Sequence, residues 1–437
     1  MSSKRPSAGF ESCRRMFGIG IALVLALIGT AAISGPVWAQ NDDDLGGVVY
    51  VGTNEGGLPG QNAVRAFRRD NQGLLSDLQT IFTGGTGVHP TTDLSFANLG
   101  PFDSDQCMIL ISDRNRLFVT NSGSDTIAVF NLRPNGRLVK VKGSPFPSFG
   151  VNPVSVGLST RKDILMVANK AYDLGRPGFD PTTAEGNYTT FRVKPNGELI
   201  HVPHSIVPAG GPDGVGPGHA TPTQALISPD GRLAFDANFF GLKVRSFRIL
   251  DNGRLDPADS VSIPTGNNPP IPLGLQVHPT KRILYVGFVL DSSIGVYEYD
   301  EDGMLEFVRS VTYAGNGPCW LVMNAQGTRL YASNNFDNTI AVFDTSAPYQ
   351  PNLIQTALLA QGAGGPKLGN AAPFQLALDG RGGFLHVVTQ AAKPAQNPAI
   401  ANGLNVLKVN QDGTLTLTDF VALPSTNGSR PQGVAAP

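Results

Sequence analysis

Residues 116–138 read RLFVTNSGSDTIAVFNLRPNGRL. Two runs of alternating apolar residues flank a short polar elbow, and Pro-Asn-Gly closes the second run. Alternation with period two, carried by β-branched and aromatic residues, marks strands rather than a helix. Asn-Gly supplies the positive φ that a tight hairpin requires. The stretch therefore predicts a strand, a turn, a second strand and a hairpin leading into a third.

The same order returns along the whole chain, which makes the stretch one copy of a repeat. An apolar strand, ending in Asn at five of its seven occurrences, is seen as VVYVGTN (48–54), LFVTN (117–121), ILMVAN (164–169), LAFDAN (233–238), ILYVGF (283–288), LYASN (330–334) and FLHVVTQ (384–390). A second alternating run follows each one, from AVRAFRR (63–69) to LNVLKV (404–409). Six of these second runs end in a turn with Gly at 73, 136, 197, 253, 303 or 413, and the sixth copy has SAPYQPNL instead. A further strand precedes the second to seventh copies, as in PVSVGLS (153–159) and PTQALIS (222–228).

The first copy lacks this preceding strand, and Pro431 to Ala436 at the other end of the chain match its type. If they pair with Val48 to Thr53, the C-terminus completes the first sheet and closes a ring with no exposed edge. The expected fold is all-β: one domain over residues 47–437, a seven-bladed propeller of four-stranded blades. Composition agrees, since 52 Gly and 34 Pro against 15% charged residues describe many tight turns and few long helices.

Residues 1–39 have the pattern of an export signal. Lys4, Arg5, Arg14 and Arg15 precede an apolar run from Met16 to Ile33, Gly35-Pro36 breaks it, and Val37-Trp38-Ala39 offers small residues for cleavage. Arg14-Arg15-Met16-Phe17 also resembles a twin-arginine signal, with Cys13 where Ser or Thr is usual. Residues 40–46 then form a loose leader. Cleavage leaves 29 basic and 33 acidic residues, a net charge of −4 without a basic block, so nucleic acid is not an expected partner. No stable membrane anchor is expected after cleavage, and the destination is the periplasm or the extracellular space. Cys107 and Cys319 fall in different blades and are read as buried thiols.

Propeller strand order puts the short turns, such as SDRNR and SPDGR, on one face of the ring. The long insertions, 83–105, 170–186, 208–221 and 391–402, gather on the other. Function in a repeat scaffold usually resides where insertions gather. Those insertions carry His89, Asp93, Asp103, Asp105, Asp173, Arg176, Asp180, Glu185, Asp213 and His219. Gln106, Gln224, Gln375 and Gln432 recur early in the inner strands and can face a ligand in the channel, while the strand-end asparagines read as turn formers. His278 precedes a short-turn proline and reads as structural. The chain has no His/Cys cluster with zinc spacing, no GxSxG elbow and no phosphate-cradling loop, so neither metal nor cofactor is expected.

The frame of inner strand, Pro-Asp-Gly-Arg, apolar strand ending in Asn, Thr-Ile-Ala-Val-Phe and Asn-Gly-x-Leu is seen best at 116–138, 222–255 and 329–344. It resembles the seven-bladed lactonase-like propellers, a family that includes bacterial 6-phosphogluconolactonases, carboxymuconate cyclases and YVTN-repeat proteins. The resemblance covers nearly all of the chain after the signal. It implies a hydrolase of a small lactone, or a protein handling a carbohydrate acid. Enzymes of the family carry a histidine six residues ahead of the turn proline, a place that Thr223 occupies here, with His219 four residues earlier.

Opening a lactone calls for a positive group at the carbonyl oxygen and an imidazole or carboxylate to activate water. His219, Arg176 and Glu185 are the expected catalytic residues, and His89, Thr223, Gln224, Gln375 and Gln432 the expected substrate-binding ones. The second reading is a non-catalytic monomeric propeller that binds a protein, glycan or metabolite through the same face.

Overall fold

A computed structural model describes residues 47–89, 108–111, 115–210, 220–264, 270–360, 371–391, 402–425 and 429–437. The export signal, the leader, Cys107, Gln106 and His219 lie outside the described residues. Seven antiparallel sheets follow one another along the chain, each with a four-strand path. No helix among the described residues is long and apolar enough to cross a membrane.

The expected ring closure is present. Val434–Ala435 pairs with Val48–Gly52, with Tyr50 opposite Ala435 and Val51 opposite Val434, so the two ends of the chain share blade 1. The remaining inner strands are Met108–Ile111, Pro153–Ser159, Leu226–Ile227, Pro272–Val277, Pro318–Met323 and Ala371–Leu378. The inner strands of blades 1 and 4 are the shortest, at Val434–Ala435 and Leu226–Ile227. Ahead of the latter, Asp236 Oδ1 accepts hydrogen bonds from the backbone N–H groups of Thr223 and Gln224.

Blades pack face to face through apolar layers. One such layer joins Tyr50, Val64 and Ala66 of blade 1 to Leu117, Val119 and Phe130 of blade 2. Polar latches cross the same boundaries. Tyr50 donates its hydroxyl to Gly136 O at 2.7 Å, Thr190 to Gly253 O at 2.6 Å and Tyr331 to Gly413 O at 3.0 Å. These three hairpin glycines thus offer their carbonyls to the preceding blade, and a Cβ on Gly136 would meet Val48 at 2.5 Å. In blade 6 the irregular SAPYQPNL turn does the same work through Pro348 O, which accepts from the Tyr285 hydroxyl at 2.8 Å. On the short-turn face a buried ion pair, Arg69 with Asp379 at 2.7 Å, ties blade 1 to blade 7. Cys319 is buried and forms no disulfide among the described residues.

Candidate functional site

The long loops after the outer strand of blade 1 and within blades 2 and 3 meet on one face. Their approach depends on glycine. Gly56, Gly87 and Gly123 stack backbone on backbone, and a Cβ on them would fall 1.6 Å from Val88 O, 2.3 Å from Asn54 C and 2.0 Å from Gly87 O respectively. Three hydrogen bonds fix the segment: Gly87 N to Glu55 O, Val88 N to Asn54 Oδ1, and Gly123 N to Thr86 O. The next residue, His89, is thereby placed over blade 2.

Its partner comes from blade 3. Asp173 and Arg176 close a tight turn, with Arg176 N donating to Asp173 O at 3.0 Å, and the carboxylate of Asp173 points back toward blade 1. Asp173 Oδ2 lies 2.6 Å from His89 Nδ1 and 3.6 Å from Arg176 Nε. The Asp173 side chain is fully buried, whereas 26% of the His89 ring remains exposed. A buried carboxylate must be paired, and these two groups pair it.

Arg176 is in turn held by Asp125, which accepts from Nη1 at 2.9 Å and from Nη2 at 2.7 Å, while Ser122 O accepts from Nη2 at 3.1 Å. Asp125 stands at φ 55 in the turn before Thr126–Leu132, a left-handed position that Asp tolerates, and its Oδ1 also accepts from Asn152 N at 2.7 Å. Burial alone would lower the Arg176 pKa, but the bonds and charges of Asp125 and Asp173 outweigh it and leave the group above its ordinary value. The guanidinium therefore stays charged and is committed to protein acceptors. A second cation, Lys170, is buried on the same loop with its Nζ 5.4 Å from the centre of the Phe239 ring.

The arrangement can hold an imidazole in one tautomer. With Nδ1 facing a carboxylate, the other ring nitrogen, Nε2, is the one available to take or give a proton. Of the residues expected from the sequence, His89 and Arg176 come together through Asp173, and Asp125 is the partner that the sequence reading missed. The only sequence signal for Asp125 was an acidic residue beside a strand start, a common turn feature. Glu185 is exposed, and its backbone bridges to Ala220, the neighbour of His219.

The inner-strand residues are engaged between blades. The buried Thr223 hydroxyl lies 2.9 Å from Ala237 O and 3.0 Å from Leu273 O. Gln224 bonds Leu275 of blade 5 through both ends of its amide, accepting from N at 2.7 Å and donating to O at 3.2 Å. Gln375 accepts from Gly433 N at 2.8 Å, and Gln432 accepts from Asn54 Nδ2 at 3.4 Å. Gln224 and Gln375 stitch neighbouring inner strands together, whereas Gln432 is held within blade 1. His278 caps its own turn, Nδ1 accepting from the N–H groups of Thr280 and Lys281. Among the described residues no cluster of three or more His, Cys, Asp or Glu is set to hold a metal ion.

Comparison with known proteins agrees with this architecture. The periplasmic gluconolactonase of Pseudomonas aeruginosa superposes with a TM-score of 0.66 at 20% identity, covering 89% of this chain and 98% of its own. A proposed 6-phosphogluconolactonase of Bacteroides uniformis gives 0.61 at 19%, covering 90% and 100%. A Lactobacillus plantarum protein gives 0.61 at 18%, covering 88% and 98%. At these identities the likeness establishes the fold. No curated protein matches the chain at the sequence level. The sequence profile of the seven-bladed β-propeller lactonases matches residues 213–434. The chain belongs to the seven-bladed β-propeller lactonase family.

Proposed function

We propose that the protein is an exported hydrolase of a small lactone, and that water is activated on the long-loop face by His89 with Asp173 behind it. The observation that carries this reading is the 2.6 Å contact between a partly exposed imidazole and a fully buried carboxylate, in a chain of the lactonase family. His89 Nε2 takes a proton from water as the oxygen attacks the lactone carbonyl carbon. The tetrahedral adduct then collapses with cleavage of the ring C–O bond, and the imidazolium returns the proton to the leaving alkoxide. One water is consumed and a hydroxy acid is released. Arg176 acts as a positioning residue, since its donors hold Asp125 and two backbone carbonyls and its charge steadies Asp173.

Export is supported by the pattern of residues 1–39 and by a fold relative described as periplasmic. The alternative catalytic group of His219 with Glu185 rests on the backbone bridge that brings Glu185 beside Ala220. Proton release from a panel of lactones tests the reading. His89→Ala is expected to lower kcat by about 10²- to 10⁴-fold, the usual contribution of a general base. Full activity in His89→Ala with loss in His219→Ala would transfer the role to His219, and no turnover of any lactone would leave a binding protein.

A further inference from the structure

On the face opposite His89, the short turns of neighbouring blades touch at some boundaries and part at another. Gly231, Gly327 and Gly382 hold the same place in the turns of blades 4, 6 and 7, at φ 68, 69 and 68. From blade 3, Ser159 donates its hydroxyl to Gly231 O at 2.7 Å, and from blade 5 the His278 ring stands 2.5 Å from where a Cβ on Gly327 would lie. Asn324 opens the turn of blade 6 as Ser159 and His278 open theirs, but its amide is engaged within that turn, by Thr328 and by the N–H of Arg329. Among the described residues no atom comes within 4 Å of a Cβ built on Gly382. The boundary of blades 6 and 7 thus lacks this contact, and a cavity of about 620 Å³ lies there.

Most charged groups on its walls already have partners. Asp379 is paired with Arg69, and Arg329 with Asp344. Asp412 turns its carboxylate onto Thr414 of its own hairpin, as the amides of Asn135 and Asn196 turn onto theirs. Arg381 is exposed and has no hydrogen bond or ion pair among the described residues. Val322, Leu378 and Val409 line the same cavity as half-buried apolar residues packed on the core. The cavity therefore offers one uncommitted guanidinium and an apolar wall. A guanidinium grips a carboxylate through two parallel hydrogen bonds, whereas sugar hydroxyls would find too few polar partners on that wall.

We infer that this cleft between blades 6 and 7 binds a small carboxylic acid with an apolar tail, its carboxylate held by Arg381 and its tail lying on Val322, Leu378 and Val409. The site is separate from the lactone chemistry proposed for the long-loop face and does not depend on it.

Titration of the full chain with octanoate, followed by ligand-observed NMR, tests the inference. Saturable binding is expected with a Kd on the order of 1 mM, the range open to a ligand of this size. Octanamide and octylamine keep the tail without the negative charge, and acetate keeps the charge without the tail. Each should bind at least about tenfold more weakly. Arg381→Gln, at an exposed position, should weaken octanoate binding about tenfold or more. Val409→Glu brings a carboxylate to the apolar wall and should abolish binding, and Leu378→Gln gives a second reading if Val409→Glu fails to fold. His89→Ala should leave the affinity unchanged, which separates this cleft from the long-loop face. No saturable binding, an amide or amine bound as tightly as the acid, or full affinity in Arg381→Gln would overturn the inference. Binding lost in His89→Ala but kept in Arg381→Gln would place the acid on the other face and overturn it as well.

Discussion

Breaking the ion pair between Arg69 and Asp379 is expected to loosen the ring where it closes. Arg69 ends the second strand of blade 1, Asp379 opens the short turn of blade 7, and their side chains are 5% and 7% exposed. Asp379 keeps one oxygen on the N–H groups of Gly383 and Phe384. Its other oxygen depends on Arg69, whose guanidinium also lies 3.9 Å above the Phe384 ring. Arg69→Met leaves a buried carboxylate without its counter-charge, a change that costs about 3–5 kcal/mol. For roughly 390 residues, an unfolding entropy of about 0.8 kcal/mol/K converts this to a Tm lower by ~4–6 °C. Asp379→Asn should cost less, because the amide oxygen can still accept from the backbone. The double variant should be clearly more stable than the sum of the two losses predicts, since the second change removes the stranded charge. The assay is thermal and urea unfolding of the four proteins, followed by circular dichroism. A loss below ~1 kcal/mol in Arg69→Met, or strictly additive losses, would refute the reasoning that this pair holds blade 7 to blade 1.

Other expectations follow from the same structure. Asp236 is buried with its carboxyl pushed up to about 7 by desolvation, against the opposing hydrogen bond of Tyr188, the charge of Arg245 and two backbone N–H groups. Its folded pKa lies above the unfolded value, so the native state holds a proton that the unfolded chain releases, and this contribution to stability declines as pH rises from ~4 through about 7. Asp236→Asn should flatten that decline in urea titrations at a series of pH values. His386 has the opposite sign: burial, then the charge of Arg69, lowers its pKa to about 3, so stability falls as pH drops from ~6.5 toward that value, and His386→Leu should remove the dependence. Gly123→Ala should cost ~1–3 kcal/mol in unfolding assays and lower turnover by displacing His89, because the new methyl would sit 2.0 Å from Gly87 O and 3.2 Å from the imidazole. Tyr331→Phe leaves Gly413 O without its buried donor and should cost ~1–3 kcal/mol, a loss measurable by thermal unfolding.

The repeat made the blades legible because strand alternation and Asn-Gly turns are local properties. Leu117 and Val119 pack in the layer toward blade 1 and Phe118 between them in the layer toward blade 3, because successive side chains on a strand point to opposite faces and each face of a blade meets another blade. The unpaired first copy and the surplus strand at Val434 likewise required only counting. The gathering of long loops on one face followed from strand order, and it located the neighbourhood of His89 and Arg176.

What the sequence left open was pairing across blades. An inner-strand glutamine reads the same whether it faces a ligand or, like Gln224, spans to Leu275 of the next blade 51 residues away. Asp125 and Arg176 are likewise 51 residues apart, and His89 and Asp173 are 84 apart. No periodicity encodes such meetings. They depend on how each loop leaves its blade, on glycines that allow backbone to touch backbone, and on the rotation from one blade to the next. The sequence by itself determined the number of blades, their closure and the face that carries variation, since these follow from short-range pattern and strand count. The tertiary structure alone decided that His89 is backed by a buried carboxylate and that Arg176 is committed to Asp125, because each requires side chains from different blades at one point in space.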